Sequence, residues 1–245
     1  HHSRHSFPTR RSSDLIFTID KGLALHQDIR PLRILILNLM PLKKPTELQL
    51  LRLLGDSPLQ VEVDFCHTDS HESTHTDPSY LEENYYVFDE IKDNYYDGFI
   101  ITGAPVEQIP FESVDYWPEM KTYFEWAKTH AFSTLHFCWG AQAALYYYYG
   151  IEKRLLPAKL FGIFEYQLTQ KHNPLLRGFD DRYFIPQSRH TAINDIQVYN
   201  TPQLDILSRS VENGINIIGT PDHRRFFVLG HFEYDRRTLE EEYLR

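Results

Sequence analysis

The sequence predicts an α/β fold, a doubly wound and mainly parallel sheet with additional β structure in its C-terminal half. Three observations predict it. Apolar runs of strand length alternate with stretches of helical periodicity, the order that builds strand–helix–strand crossovers. The first run, LRILILNLM at 32–40, is almost continuously apolar, as a strand covered on both faces must be. From residue 160 onward, strand-like runs dominate over helical ones. No internal repeat or long linker interrupts residues 16–245, which read as a single domain.

The elements follow in order. Residues 1–15, HHSRHSFPTRRSSDL, carry no periodicity and read as a non-native or disordered leader. After the first strand, PLKKPTELQLLRLLGDSP reads as a helix. Thr46 is its expected N-cap, Leu48, Leu51 and Leu54 recur at helical spacing, and Gly55 stops it. LQVEVDFC at 59–66 alternates and gives a second strand; YDGFIITGAP at 96–105 gives a third, running into a Gly-Ala-Pro turn. WPEMKTYFEWAKTH at 117–130 is an amphipathic helix with Pro118 in its first turn. STLHFCW at 133–139 is a fourth strand, and GAQAALYYYYG at 140–150 a helix closed by Gly150. LFGIFEYQLT at 160–169 and INIIGTPDHRRFFVLGHFEY at 215–234 supply the further β structure, the second as a hairpin turning near Asp222–His223. A last helix starts at RRTLEEEYLR.

Composition narrows the function classes. The 245 residues are 42% hydrophobic and 24% charged, ordinary for a soluble globular chain. A net charge of −9 argues against a general nucleic-acid binder, which needs a basic face. Arg224–Arg225 and Arg236–Arg237 are the local basic pairs that could still serve an anionic ligand. Two cysteines, Cys66 and Cys138, are too few for a disulfide scaffold or a Cys-based zinc site, and fit a reducing, cytoplasmic compartment. No apolar run nears the ~20 residues of a membrane span. CHTDSHESTHTDPSY at 66–80 spaces His67, His71 and His75 by four, but its polar filling reads as a loop, and no metal is expected.

In a parallel α/β sheet, ligands gather beyond the carboxyl ends of the strands. Cys138 stands at such an end, directly before a helix. A buried thiol is an ordinary use of a lone cysteine. A nucleophile is the other reading. The helix N-terminus favours a thiolate, Gly140 and Ala141 leave room for a sharp elbow, and the Trp139 backbone N–H offers an oxyanion donor. GHFEYD places His231 and Glu233 two residues apart, on one side of an extended segment. An imidazole there can take a proton from a thiol or a substrate, and the carboxylate would fix its tautomer. Otherwise His231 ends a strand and Glu233 is solvated. Taken singly, Lys159, Ser188 and Glu107 read as a solvated lysine, a hydroxyl on local backbone and a surface carboxylate.

Several segments, in order, resemble one family: HQDIRPLRILILNLMPLKKPTELQLLRLLG, YDGFIITGAPVEQIPFESVDYWPEM, HFCWGAQAALYYYYGI, LFGIF, SRHT and GHFEYDRRTLEEEYLR. They are similar to the homoserine O-acyltransferases of methionine biosynthesis, which have a class I glutamine-amidotransferase-like, flavodoxin-like fold. The resemblance implies that Cys138 is the acyl-thioester nucleophile, His231 the general base and Glu233 its partner. Lys159, Ser188 and Arg245 match substrate-binding positions, with Arg245 expected at the homoserine carboxylate. Glu107 matches the position tied to acyl-donor choice, where glutamate goes with acetyl-CoA and glycine with succinyl-CoA; a carboxylate there repels the free carboxylate of a succinyl group. The oxyanion hole is expected from the backbone at Trp139 and Val106. Acetyl-CoA is then a co-substrate, L-homoserine the acceptor, no cofactor is permanently bound, and a homodimer is implied.

The chain departs from the family at Phe232, where proline is usual, and at Ala144 and Tyr148, where glycine and histidine are expected. Family chains also continue beyond Arg245, which implies truncation at the C-terminus. Succinyl transfer, a glutamine-amidotransferase-like hydrolysis and an inactive ligand-binding relative are the alternative readings.

Overall fold

The computed structural model describes residues 30–70 and 76–244; the leader at 1–15 lies outside them. Five parallel strands form the first half of a nine-stranded sheet: β1 (Leu32–Leu37), β2 (Val61–Cys66), β3 (Tyr96–Ile101), β4 (Ala131–Phe137) and β9 (Arg225–Val228). The second half is antiparallel: β5 (Lys153–Leu168), β6 (Arg182–Ile193), β7 (Asp205–Ser210) and β8 (Gly214–Gly219). The strand order is β2-β1-β3-β4-β9-β8-β7-β5-β6. The last parallel strand therefore comes from near the end of the chain, and this brings the segment after β9 beside the segment after β4.

The helices are α1 (Lys43–Gly55), α2 (Pro78–Asn84), α3 (Phe88–Ile91), α4 (Trp117–His130), α5 (Cys138–Tyr149), α6 (Asp195–Tyr199) and α7 (Thr238–Tyr243). The central strands are buried on both faces, as their apolar runs require. Leu35, Leu37, Phe99 and Ile101 pack with the aromatic faces of α4 and α5, while Ile36 and Ile100 face Leu50, Val63, Phe137 and Ile217. Trp126 meets Phe99 edge to face with centroids 5.6 Å apart. Among the described residues no helix is long and apolar enough to cross a membrane.

Three local expectations change. Thr46 is not the N-cap of α1: the helix starts earlier, after Leu42, and the Thr46 hydroxyl donates back to the Leu42 carbonyl at 3.4 Å. The fourth strand ends at Phe137, so Cys138 is the first residue of α5 rather than part of the strand. The stretch around Ser188 is a twelve-residue strand, β6, on the outer edge of the sheet. Gly150 closes α5 in the left-handed conformation, φ 67°, and the 215–234 segment forms the hairpin of β8 and β9.

Candidate active site

Cys138 sits where β4 becomes α5, with φ at 45°, one of two non-glycine residues at positive φ among those described. A side chain is held in that strained conformation only where its surroundings enforce it. The enforcement is visible in Gly140: a Cβ there would lie 2.5 Å from the Thr102 carbonyl oxygen and 3.0 Å from Ile101 Cγ2. Only a glycine lets the first turn of α5 press against the end of β3. Gly103, just beyond β3, packs on the cysteine from the other side; a Cβ on it would be 3.2 Å from Cys138 Cβ and 3.8 Å from both Cys138 Sγ and His231 Cε1. The nucleophile candidate and the imidazole thus meet over one glycine.

His231 follows β9. Its N–H donates to the Pro186 carbonyl of β6 at 3.0 Å, and Gly230 before it packs so closely on Ile185 and Gln187 that a Cβ would come within 2.7 Å of each. His231 Nδ1 donates to Glu233 Oε1 at 2.7 Å, and both residues are buried. A turn, not an extended segment, brings the two together. With Nδ1 on the carboxylate, Nε2 is the atom that exchanges protons, and it has no other hydrogen-bond partner among the described residues. Burial opposes an imidazolium, but the Glu233 carboxylate and the Cys138 sulfur outweigh it and hold His231 well above its ordinary value. The ring stacks on Tyr234 with centroids 4.2 Å apart.

Of the other predicted residues, Ser188 is brought to this end of the sheet, and its hydroxyl donates to Glu242 Oε2 at 2.6 Å. Glu242, on α7, also accepts from the Tyr234 hydroxyl at 2.5 Å. Glu242 was missed in the sequence, where it is one of three consecutive glutamates; it ties Ser188 to the tyrosine under His231. Lys159 is exposed, in the stretch where the β5–β6 register slips between Leu155 and Leu160, with its Nζ 4.7 Å from the Phe161 ring centre. Phe161 pairs across the ladder with Ser188 and touches Tyr243 of α7. Lys159, Ser188 and α7 therefore share one face. Arg245 lies outside the described residues, as do His71 and His75.

Glu107 is not a free surface carboxylate. Its Oε1 accepts from the His190 N–H at 2.9 Å, and Thr191 Oγ1 lies 3.1 Å from its Oε2. Trp139 is the second residue of α5, whose first N–H groups have no intrahelical acceptors; Val106 lies in the turn between Gly103 and Glu107. Lys43, also missed, is buried beside the ends of β1 and β2, donates to the Asn38 carbonyl at 2.5 Å and is lowered to about 8 by burial. Arg224 and Arg225 stand at the opposite, amino-terminal ends of β9 and β4, with Arg224 over the Phe132 ring, so that basic pair does not serve this site. Phe232 is accounted for by packing on Phe179 and Tyr183. Among the described residues no group of three or more His, Cys, Asp or Glu converges as a metal site would.

The fold is similar to that of a glutamine amidotransferase from Thermotoga maritima, with TM-score 0.59 and 14% identity over 88% of this chain and 82% of that one. It is also similar to the glutaminase domain of Trypanosoma brucei CTPS, with TM-score 0.55 and 12% identity over 83% and 87%. Those likenesses establish a class I glutamine-amidotransferase-like fold. The sequence matches the family model described as homoserine O-succinyltransferase over residues 7–245. It is 53% identical to a homoserine O-acetyltransferase of Agathobacter rectalis, over 94% of this chain and 74% of the relative. To the homoserine O-acetyltransferase of Bacillus subtilis it is 52% identical, over 95% and 77%.

Proposed function

This chain belongs to the homoserine O-succinyltransferase family, and from that premise we propose that it transfers an acetyl group from acetyl-CoA to the γ-hydroxyl of L-homoserine through an acyl-cysteine at Cys138. The observation that carries the reading is the strained Cys138 elbow facing a buried His231–Glu233 pair. The Cys138 thiolate attacks the thioester carbonyl of acetyl-CoA. The Trp139 N–H and the Val106 backbone stabilise the oxyanion, and CoA leaves with a proton from the His231 imidazolium. The product is an acetyl-cysteine; one thioester has replaced another, so the step is nearly balanced.

Acylation removes the sulfur's negative charge, one of the two supports of the imidazolium. His231, having given its proton to CoA, is therefore held neutral in the acyl-enzyme, when a base is needed. Homoserine enters, oriented by Lys159, Ser188 and Arg245. Its γ-hydroxyl passes a proton to His231 Nε2 and attacks the acetyl carbonyl, and Cys138 leaves as thiolate beside the re-formed imidazolium. Formation of an oxygen ester at the expense of a thioester drives the step forward. Glu107 makes acetyl-CoA the donor, because its carboxylate opposes that of a succinyl group. Place in methionine biosynthesis, a cytoplasmic location and a homodimer belong to the same reading.

The test is free-CoA release from acetyl-CoA and from succinyl-CoA, with and without L-homoserine. Homoserine-dependent release from acetyl-CoA is expected. Preference for succinyl-CoA would keep the mechanism and overturn the donor assignment, while glutamine hydrolysis without CoA dependence would overturn both.

A further inference from the structure

The segment that carries His231 hangs from three consecutive N–H groups. The paired register of β9 with β8 ends at Val228. Beyond it, the Leu229 N–H donates to the Asn216 carbonyl at 2.9 Å, the Gly230 N–H to Asn216 Oδ1 at 2.9 Å and the His231 N–H to the Pro186 carbonyl at 3.0 Å. Two of these acceptors are main chain, placed by the strands themselves. The third is a side chain, on a fully buried residue of β8. Asn216 thus satisfies, with its own amide, the backbone donor that the ladder no longer reaches, and it does so at the residue before His231.

A buried network aims that amide. Asn216 Oδ1 also accepts from Gln187 Nε2 at 2.9 Å, and its Nδ2 donates to the Tyr183 hydroxyl at 2.8 Å. Two N–H donors converge on Oδ1, so only one orientation of the Asn216 amide serves. Gln187 is oriented in turn: its Oε1 accepts from Arg189 Nε at 2.9 Å, which turns its NH₂ toward Asn216. At the far end, Tyr183 meets Ser208 Oγ at 2.5 Å. Arg189, Gln187, Asn216 and Ser208 are all buried, and the Arg189 charge strengthens the chain of amides it begins. Gln187 also closes the space behind Gly230, where a Cβ would lie 2.7 Å from its Nε2. The His231 backbone therefore has little freedom to move. On the other side of that backbone, His231 Cε1 and Cys138 Sγ each lie 3.8 Å from the position of a Cβ on Gly103. A shift of the backbone at 230–231 is a shift of the imidazole against the sulfur.

We propose that Asn216 is a positioning residue for the transfer reaction: its side-chain carbonyl, aimed by Arg189 through Gln187, fixes the Gly230 backbone and so holds the His231 imidazole at Cys138. This rests on the acyl-cysteine reading, in which His231 moves the protons.

The experiment compares Asn216→Leu, which keeps the volume and removes the acceptor, with Asn216→Asp, which keeps an acceptor in place. Ser208→Ala is the control, cutting the far end of the network without touching Gly230. Homoserine-dependent CoA release and iodoacetamide alkylation of Cys138, the second needing no turnover, are measured on folded samples. Asn216→Leu is expected to lower kcat about 10- to 100-fold with KM nearly unchanged, as a misplacement approaching 1 Å would. It should also slow alkylation, because a displaced imidazolium no longer favours the thiolate. Asn216→Asp should restore both rates. Ser208→Ala should lower the denaturation midpoint and leave both rates as in the wild type. Rates that Asn216→Leu leaves unchanged overturn the proposal, as do equal losses in Ser208→Ala, a loss confined to KM, or a folded Asn216→Asp that restores neither rate. If leucine prevents folding, Asn216→Ala, which adds no bulk beside Gln187, carries the same test. If the wild type transfers no acetyl group, alkylation decides: slowing by leucine with recovery by aspartate supports the positioning role, and an unchanged rate overturns it.

Discussion

Cys66 and Cys138 begin alike and end differently. Each stands at the carboxyl end of a parallel strand, and each is buried. Cys66 is still part of β2; loop residues follow it, and burial pushes its thiol well above the ordinary range despite a nearby Tyr123 hydroxyl. Cys138 opens a twelve-residue helix at φ 45°, with His231 and Glu233 across from it. The proposed nucleophile therefore differs from an ordinary buried thiol at a strand end. The helix start and the buried imidazole–carboxylate pair make the difference, and both depend on close backbone packing at Gly103, Gly140 and Gly230.

That contrast is broken most directly by exchanging the roles of the two thiols. Cys138→Ala should abolish homoserine-dependent CoA release, by roughly 10⁴-fold or more, whereas Cys66→Ala should keep it. Iodoacetamide should label Cys138 in the folded protein and Cys66 only after unfolding. Equal labelling of the two by mass spectrometry would remove the basis for the nucleophile assignment.

A smaller effect sharpens the contrast at its electrostatic origin. Glu233→Gln removes the charge that holds His231 high, so the imidazolium releases its proton at lower pH. The pH–rate profile should move its acid limb downward, while the maximal rate falls about 10²- to 10⁴-fold. An unmoved limb would mean that the carboxylate does not govern the imidazole.

Gly140→Ala tests the elbow itself. Its Cβ would meet the Thr102 carbonyl at 2.5 Å, so the start of α5 must shift. About 1–3 kcal/mol of stability should be lost, and transfer should fall by about 10²-fold, as a displacement near 1 Å would cause. A denaturant melt and the CoA-release assay check the two parts. The smallest effect is expected at the other cysteine, where Cys66→Ala costs about 1 kcal/mol through a small cavity, readable as a shift in the denaturation midpoint.

Much of this contrast was legible in the sequence. The unbroken apolar run of β1, the amphipathic pattern of α4 and the glycine closing α5 each report a local environment, and each matches the observed element. Cys138 before a Gly-Ala pair already suggested an elbow. Thr46 misled because N-cap chemistry competes with a hydroxyl bonding back inside a helix, and packing settled the choice. Glu242 and Thr191 gave no signal, since their partners lie on other elements: Glu242 reaches Ser188 across 54 residues and Thr191 reaches Glu107 across 84.

The sequence by itself determined the alternation of elements, the doubly covered strands and the candidate cysteine, histidine and glutamate, because periodicity and turn chemistry act over a few residues. Only the tertiary structure decided that β9 lies beside β4, so that His231 faces Cys138, and that β6 returns to put His190 and Thr191 on Glu107. Those pairings come from the order of strands in the sheet, which packing of whole faces selects and which no local pattern in the chain encodes.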